Sequence, residues 1–296
     1  MPLAIALTVF FLYAGGSVVQ LVCWIAIFKH TEWQSMSGLI LILSLAFSDL
    51  CLVFPCMIGS LTALLGLSLP VSADFLIGCF EVFSFSAGSF HMIALAFNRL
   101  VAVVFPNSYD LICSPNRTKA VVLACYSFAT VYACYCQIVG PTVMWNSDSV
   151  APLWSKIPTS GQLLCATLIT WGVVTACLIC YSIITVNLVR WHMQSQLGNQ
   201  SNVDRSLCIQ FFIITCAYIV VETCWYLLPV VVPALQKHVS YMIAYLVAIN
   251  FTINGYVYLI FNKTIRKAVK KLLGVAQTNQ VTAAPPIMVQ PNSSAL

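Results

Sequence analysis

The sequence predicts an all-α membrane protein: a bundle of seven transmembrane helices followed by a short amphipathic helix. Three observations carry this prediction. Of 296 residues, 60% are hydrophobic and only 7% charged, whereas soluble domains carry roughly 25% charged residues. Seven stretches each supply the roughly 20 apolar residues that a helix needs to cross a hydrocarbon core of about 30 Å. Lys and Arg also collect on alternate connections. The net charge of +5 is therefore a topology signal and not a nucleic-acid footprint.

The spans run over residues 3–28, 37–66, 74–104, 119–141, 161–189, 206–233 and 239–261. Polar punctuation separates them: "KHTEWQSMS", "GLSLPVSAD", "PNSYDLICSPNRTK", "TVMWNSDSVAPLWSKIPTS", "RWHMQSQLGNQSNVDR" and "ALQKHVS". The first span lacks a basic n-region and is too long for an h-region, so it reads as a helix and not as a signal peptide. With the C-terminus inside, eleven Lys and Arg residues fall on the cytoplasmic side and only Lys156 and Lys237 outside. This positive-inside bias places the N-terminus outside. The sequons at Asn116, Asn199, Asn262 and Asn292 then lie inside and Asn250 within a span, so none is expected to be glycosylated.

Residues 1–262 form the seven-span domain, and "NKTIRKAVKKLLG" follows it. Ile265, Ala268, Val269, Leu272 and Leu273 share one helical face opposite five basic residues, and Gly274 suits a C-cap. Residues 263–274 thus read as an amphipathic helix lying on the anionic lipid of the inner leaflet. Residues 275–296 lack apolar periodicity and read as a disordered tail. Its ending, Ser294–Ala295–Leu296, has the form of a PDZ-protein ligand.

Most of the fourteen cysteines lie inside apolar runs and behave as small hydrophobes. None has a zinc-site context, and no metal site is expected. Cys79 and Cys165 lie nearest the outer surface and are candidates for a bridge.

Polar groups within the spans each need a reason, because hydrocarbon solvates them poorly. Asp49 lies about twelve residues, or roughly 18 Å, into the second span. Asn250 and Asn254 share a face of the seventh span at similar depth. They could satisfy Asp49, or hold a water or a sodium ion against it, as a static clamp or as a moving element. No other cofactor is implied. Glu81 in the third span and Glu222 in the sixth lie toward the outer mouth. Ser84, Phe85, Trp225, Tyr226, Tyr241 and Tyr245 populate comparable depths. Such a set describes either a small-ligand pocket or an interfacial aromatic belt. His91 lacks partners at metal spacing and reads as a satisfied buried histidine, and Pro229 is a candidate hinge in span six.

Taken together, "LSLAFSDL" in the second span, "AFNRLVAVVFP" closing the third and "INGYVYLIFNKTIR" after the seventh resemble a G-protein-coupled receptor. Within that superfamily the likeness is to the nematode serpentine chemoreceptors of class x, through Asn98–Arg99, Gln210 and the final "NG…FN…IR" pattern. The resemblance implies a small-molecule ligand, a heterotrimeric G protein as partner and a plasma membrane location, in a sensory cilium. It also implies coupling through Asn98, Arg99 and Arg205, and a switch involving Asp49, Asn250, Asn254 and Tyr258. Arginine suits Gα contact because its charge is permanent and its planar fork binds carbonyls and carboxylates.

This sequence departs from the wider receptor pattern at several points. Asn98 cannot pair with Arg99 by charge, which leaves Asp204 or a carbonyl of span six as the expected resting partner. Gly255 replaces the proline of Asn-Pro-x-x-Tyr, and the spacing of "CWYLLP" alters the toggle arrangement. A transporter or channel is a rival reading, as is a non-signalling pseudoreceptor. An enzyme is not expected, since the four histidines are scattered and neither HExxH nor Gly-x-Ser-x-Gly occurs. No lysine lies between Lys237 and Lys263, which excludes a retinal Schiff base in the seventh span.

Overall fold

Every backbone N–H and C=O in hydrocarbon must be satisfied within its own segment, which makes helices the default for such a chain. The computed structural model describes residues 2–139, 142–146, 150–155, 158–194, 212–221, 223–224 and 236–275. The helices are α1 (Pro2–His30), α2 (Ser37–Leu64), α3 (Val71–Val104), α4 (Tyr109–Ile112), α5 (Pro115–Ile138), α6 (Ser160–Gln194), α7 (Phe212–Val221), α8 (Gln236–Phe261) and α9 (Lys263–Leu272). Among the described residues six of these, α1, α2, α3, α5, α6 and α8, are long and apolar enough to span a membrane. The shorter apolar α7 lies within the expected sixth span.

Two observed helix ends follow directly from glycine. Gly66 and Gly274 both sit at φ +67°, a region that costs a residue without Cβ little. At each, two backbone N–H groups cap the preceding turn: Gly66 to Ala63 and Leu67 to Thr62, Gly274 to Lys271 and Val275 to Lys270. Asn262 caps the start of α9, its Oδ1 accepting from the N–H groups of Thr264 and Ile265 at 3.1 and 3.2 Å.

Helix α2 is the most enclosed span, with 78% of its apolar window buried against 22% for α6. It packs between α1 and α3, while α3 also meets α5 and α6. Helix α1 closes against α8 through small residues. A Cβ on Gly16 would fall 2.2 Å from Cβ of Thr252, and one on Gly255 would meet Gln20 and Val19 at 3.0–3.2 Å. Small residues at such crossings let helix backbones approach within lipid.

Helix α9 buries part of its apolar face in protein: Ile265, Ala268 and Val269 join the main apolar cluster, and the helix packs on α1 and α8, while Leu273 stays exposed. Arg266 adds a tie by donating to the carbonyl oxygens of Leu259 and Ile260.

One difference from expectation is the connection between α5 and α6. Polar composition predicts a loop there, but the chain forms an antiparallel hairpin of β1 (Val143–Asn146) and β2 (Ala151–Trp154). Val143, Trp145 and Val150 are buried against the bundle. The alternation of buried and less buried residues along β1 is the period-2 pattern of a strand with one face covered.

Candidate functional site

The polar side chains form three groups along the bundle, one at each end and one at mid-depth. At one end, Arg99 closes the last turn but one of α3 and lines a cavity of about 310 Å³. The α2 start (Ser37, Gly38), Tyr109, Asp110 and Cys113 after α3, and Asn262–Thr264 at the start of α9 contribute to its wall. The guanidinium lies over Gly38, where an added Cβ would stand 2.3 Å from its Nη2. A glycine here lets the arginine cross the start of α2 at close range.

Asn98 is buried behind that wall, in a triangle with two of its lining residues. Its Nδ2 donates to Ser37 Oγ at 3.3 Å and to the Tyr109 hydroxyl at 3.2 Å, and Ser37 and Tyr109 share a hydrogen bond of 2.6 Å. The side chain beside Arg99 therefore joins α2, α3 and the α3–α5 connection. Burial pushes the neighbouring Cys113 thiol up from its ordinary range, and Asn98 and Arg99 partly offset that. Asp204 and Arg205 lie outside the described residues, as do Gln210 and Pro229.

At mid-depth, Asp49 Oδ2 accepts from Asn254 Nδ2 at 2.7 Å and from Gln20 Nε2 at 3.1 Å. Gln20 Nε2 also donates to the Phe251 carbonyl at 2.6 Å. Helices α1, α2 and α8 are thereby tied at one carboxylate. Gln20 escaped the sequence reading, although an amide midway along an apolar span was a visible signal. Asn250 does not take part in these bonds. It faces Asp49 and Asn254 across a cavity of about 20 Å³, which Phe85, Ser89 and Tyr218 also line. That volume suits a single water. Asp49, Asn250, the unpartnered Oδ1 of Asn254 and the hydroxyls of Ser89 and Tyr218 are oxygen-bearing groups that could hold it, or a sodium ion. Tyr258 is 1% exposed and lies within electrostatic reach of Asp49, with its hydroxyl unpartnered.

His91 is locked on the opposite side of α2. Its Nδ1 lies 2.6 Å from the Ala87 carbonyl, which can only accept, so the neutral ring carries its proton there. Nε2 is then the acceptor for Ser44 Oγ, also at 2.6 Å, and Tyr126 donates to the Ser44 carbonyl. This is the satisfied buried histidine the sequence suggests.

At the hairpin end, several described residues of the expected cleft pack into one apolar cluster, while one lines the mid-depth cavity. Tyr241 is buried with Tyr13, Trp145 and Val150 in one apolar cluster, and Tyr245 packs against it. Glu81 and Cys56 lie within electrostatic reach of Tyr13. Ser84 is fully buried one turn below Glu81, whereas Phe85 belongs to the mid-depth cavity. Glu222, Trp225 and Tyr226 lie outside the described residues. Tyr13, Cys56 and Trp145 were missed because apolar runs and a polar connection hid them.

Cys79 and Cys165, the candidates for a bridge, are free thiols in the structure. Cys134 lies within electrostatic reach of Cys79, and Cys165 within that of Cys136.

The bundle, with a basic group at one end and a capped polar cluster at the other, belongs to the polytopic helical membrane proteins. Residues 73–275 match the family model of the serpentine type 7TM GPCR chemoreceptor Srv, and the chain belongs to that family. No curated protein matches it. The family is one of receptors, so the chemoreceptor expectation holds, and the matching class is Srv where the sequence likeness pointed to class x.

Proposed function

We propose that the chain is a chemosensory receptor that binds a small molecule in the hairpin half of the bundle and activates a heterotrimeric G protein at the Arg99 end. The N-terminus lies outside, α7 belongs to the sixth of seven crossings, and the Arg99 end faces the cytoplasm of a plasma or ciliary membrane. Such a receptor acts by binding one state of a pre-existing equilibrium better than the other.

The supporting observation is the cavity of about 310 Å³ that carries Arg99 on its wall and opens between α2, the α3–α5 connection and α9. A recess with a permanent cation and nearby backbone groups can take a peptide terminus with its carboxylate and carbonyls. The test is G-protein activation in a heterologous cell, comparing wild type with Arg99→Ala across several Gα classes at matched surface expression. We expect Arg99→Ala to abolish activation, basal or induced by pooled small molecules. Activation that survives Arg99→Ala, or uptake or current that depends on Asp49, would overturn the reading.

A further inference from the structure

The hairpin half of the bundle holds more polar chemistry than it satisfies. The enclosed Oε2 of Glu81 has no hydrogen-bond partner, and neither do the Tyr13 hydroxyl, Ser84 Oγ, Trp145 Nε1 or the Tyr241 hydroxyl. Tyr13 and Ser84 are 0% exposed, and Trp145 and Tyr241 are each 5% exposed. Tyr13 stands beside the Cys56 thiol at a geometry short of a hydrogen bond. An unpaired buried hydroxyl or indole N–H costs roughly 1–3 kcal/mol, and an unpaired carboxylate more. Tyr13 lies within electrostatic reach of Glu81 and shares one apolar cluster with Trp145 and Tyr241, while Ser84 follows one turn along α3. Unsatisfied groups gathered in this way describe a site that lacks its occupant.

Charge gives the sign of that occupant. Asp74 stands seven residues before Glu81, on the same face of α3 and about 10 Å nearer the mouth. It too has an enclosed oxygen, Oδ1, without a partner. Between them, Gly78 lets β1 sit directly on α3: a Cβ there would fall 1.8 Å from the Val143 carbonyl oxygen. Trp145 seats in the same way on Gly59 of α2. The hairpin thus covers a stripe with one carboxyl above its contact and one below. By sequence this end carries Asp74, Glu81, Asp148 and Glu222 against Lys156 and Lys237. A mouth of net negative charge concentrates cations.

We infer that the site beneath the hairpin takes a small organic cation, an amine or quaternary ammonium, whose nitrogen pairs with Glu81 while the rings of Tyr13, Trp145 and Tyr241 enclose it. This names the ligand class for the receptor reading above and rests on it. Aromatic rings around a cation add their own attraction, and Asp74 serves as the first carboxylate met on entry. Ser84 and the tyrosine hydroxyls satisfy the remaining polar groups of the ligand.

The test uses the full chain in lipid nanodiscs, reading thermal unfolding with four probes. 2-Phenylethylammonium and tetramethylammonium carry the charge, whereas 2-phenylethanol and 3-phenylpropanoate are the neutral and anionic comparisons. We expect the ammonium probes alone to raise the melting temperature. In Glu81→Gln, which keeps size and shape, the apparent affinity should fall on the order of ten- to a hundredfold. Tyr13→Phe should weaken it less. Equal stabilisation by the alcohol, no stabilisation by either ammonium, or an unchanged ammonium response in Glu81→Gln would each overturn the inference. Should Glu81→Gln fail to fold, the wild-type comparison of charged and neutral probes still decides. Unfolding reports occupancy without any G protein. Arg99-dependent activation with no ammonium response would therefore remove the ligand class and leave the receptor reading standing.

Discussion

Replacing Tyr109 by Phe deletes a single hydroxyl that joins the α3–α5 connection to two spans at the Arg99 end. That hydroxyl makes a 2.6 Å bond with Ser37 and accepts from Asn98 at 3.2 Å. Each net bond is worth about 1 kcal/mol, so the loss amounts to about 1–2 kcal/mol. The ring remains, and Asn98 retains Ser37 at 3.3 Å, which keeps the fold intact. If this triangle holds the resting arrangement beside Arg99, the same energy shifts the resting-to-active ratio by roughly 5–30-fold. Basal G-protein activation should rise accordingly, measured at matched surface expression. Asn98→Asp should act in the opposite direction. A carboxylate there can accept from both hydroxyls and adds a charge beside Arg99, so charge-assisted bonds replace neutral ones. Basal activation that falls or stays level in Tyr109→Phe, or rises in Asn98→Asp, would refute this account of the triangle.

Three further outcomes follow from other parts of the bundle. Asp49→Ala strands the amides of Gln20 and Asn254 and should cost about 2–4 kcal/mol, whereas Asp49→Asn keeps an acceptor oxygen and should cost less; thermal unfolding in nanodiscs separates them. Gly78→Ala places a methyl group where the Val143 carbonyl lies, so hydrogen exchange over residues 142–155 should accelerate while that of α2 and α8 stays unchanged. Cys79 and Cys165 should both be alkylated in denatured, non-reduced protein, and Cys79→Ser should leave the melting temperature unchanged with or without reductant.

The spans were legible because lipid imposes a long apolar run on every crossing, a signal strong enough to survive single polar interruptions. Their observed ends fall within a few residues of the polar punctuation, as at Ser37 and Phe261. Asp49 with Asn254 was legible for the opposite reason: a charge in hydrocarbon needs a partner at the same depth. Gln20 is the third member of that set, yet an uncharged amide in a first helix draws less notice than a carboxylate. The hairpin was not legible. Its strands are four residues each, and the polar "NSDS" between them reads as loop. What holds it is tertiary, namely the seats at Gly59 and Gly78 on two other helices. The role of Asn98 also escaped, because its partners Ser37 and Tyr109 are 61 and 11 residues away and neither is unusual in sequence.

The glycine contacts between α1 and α8 have a mechanical consequence. Backbones that meet at Gly16 and Gly255 leave no slack for sliding, and Gln20 bolts the same pair through Asp49 and Phe251. Helix α9 rests on α1 as well. The first and last staves of this barrel therefore behave as one plate, and any swing that opens the Arg99 recess has to be borne by the staves on the far side.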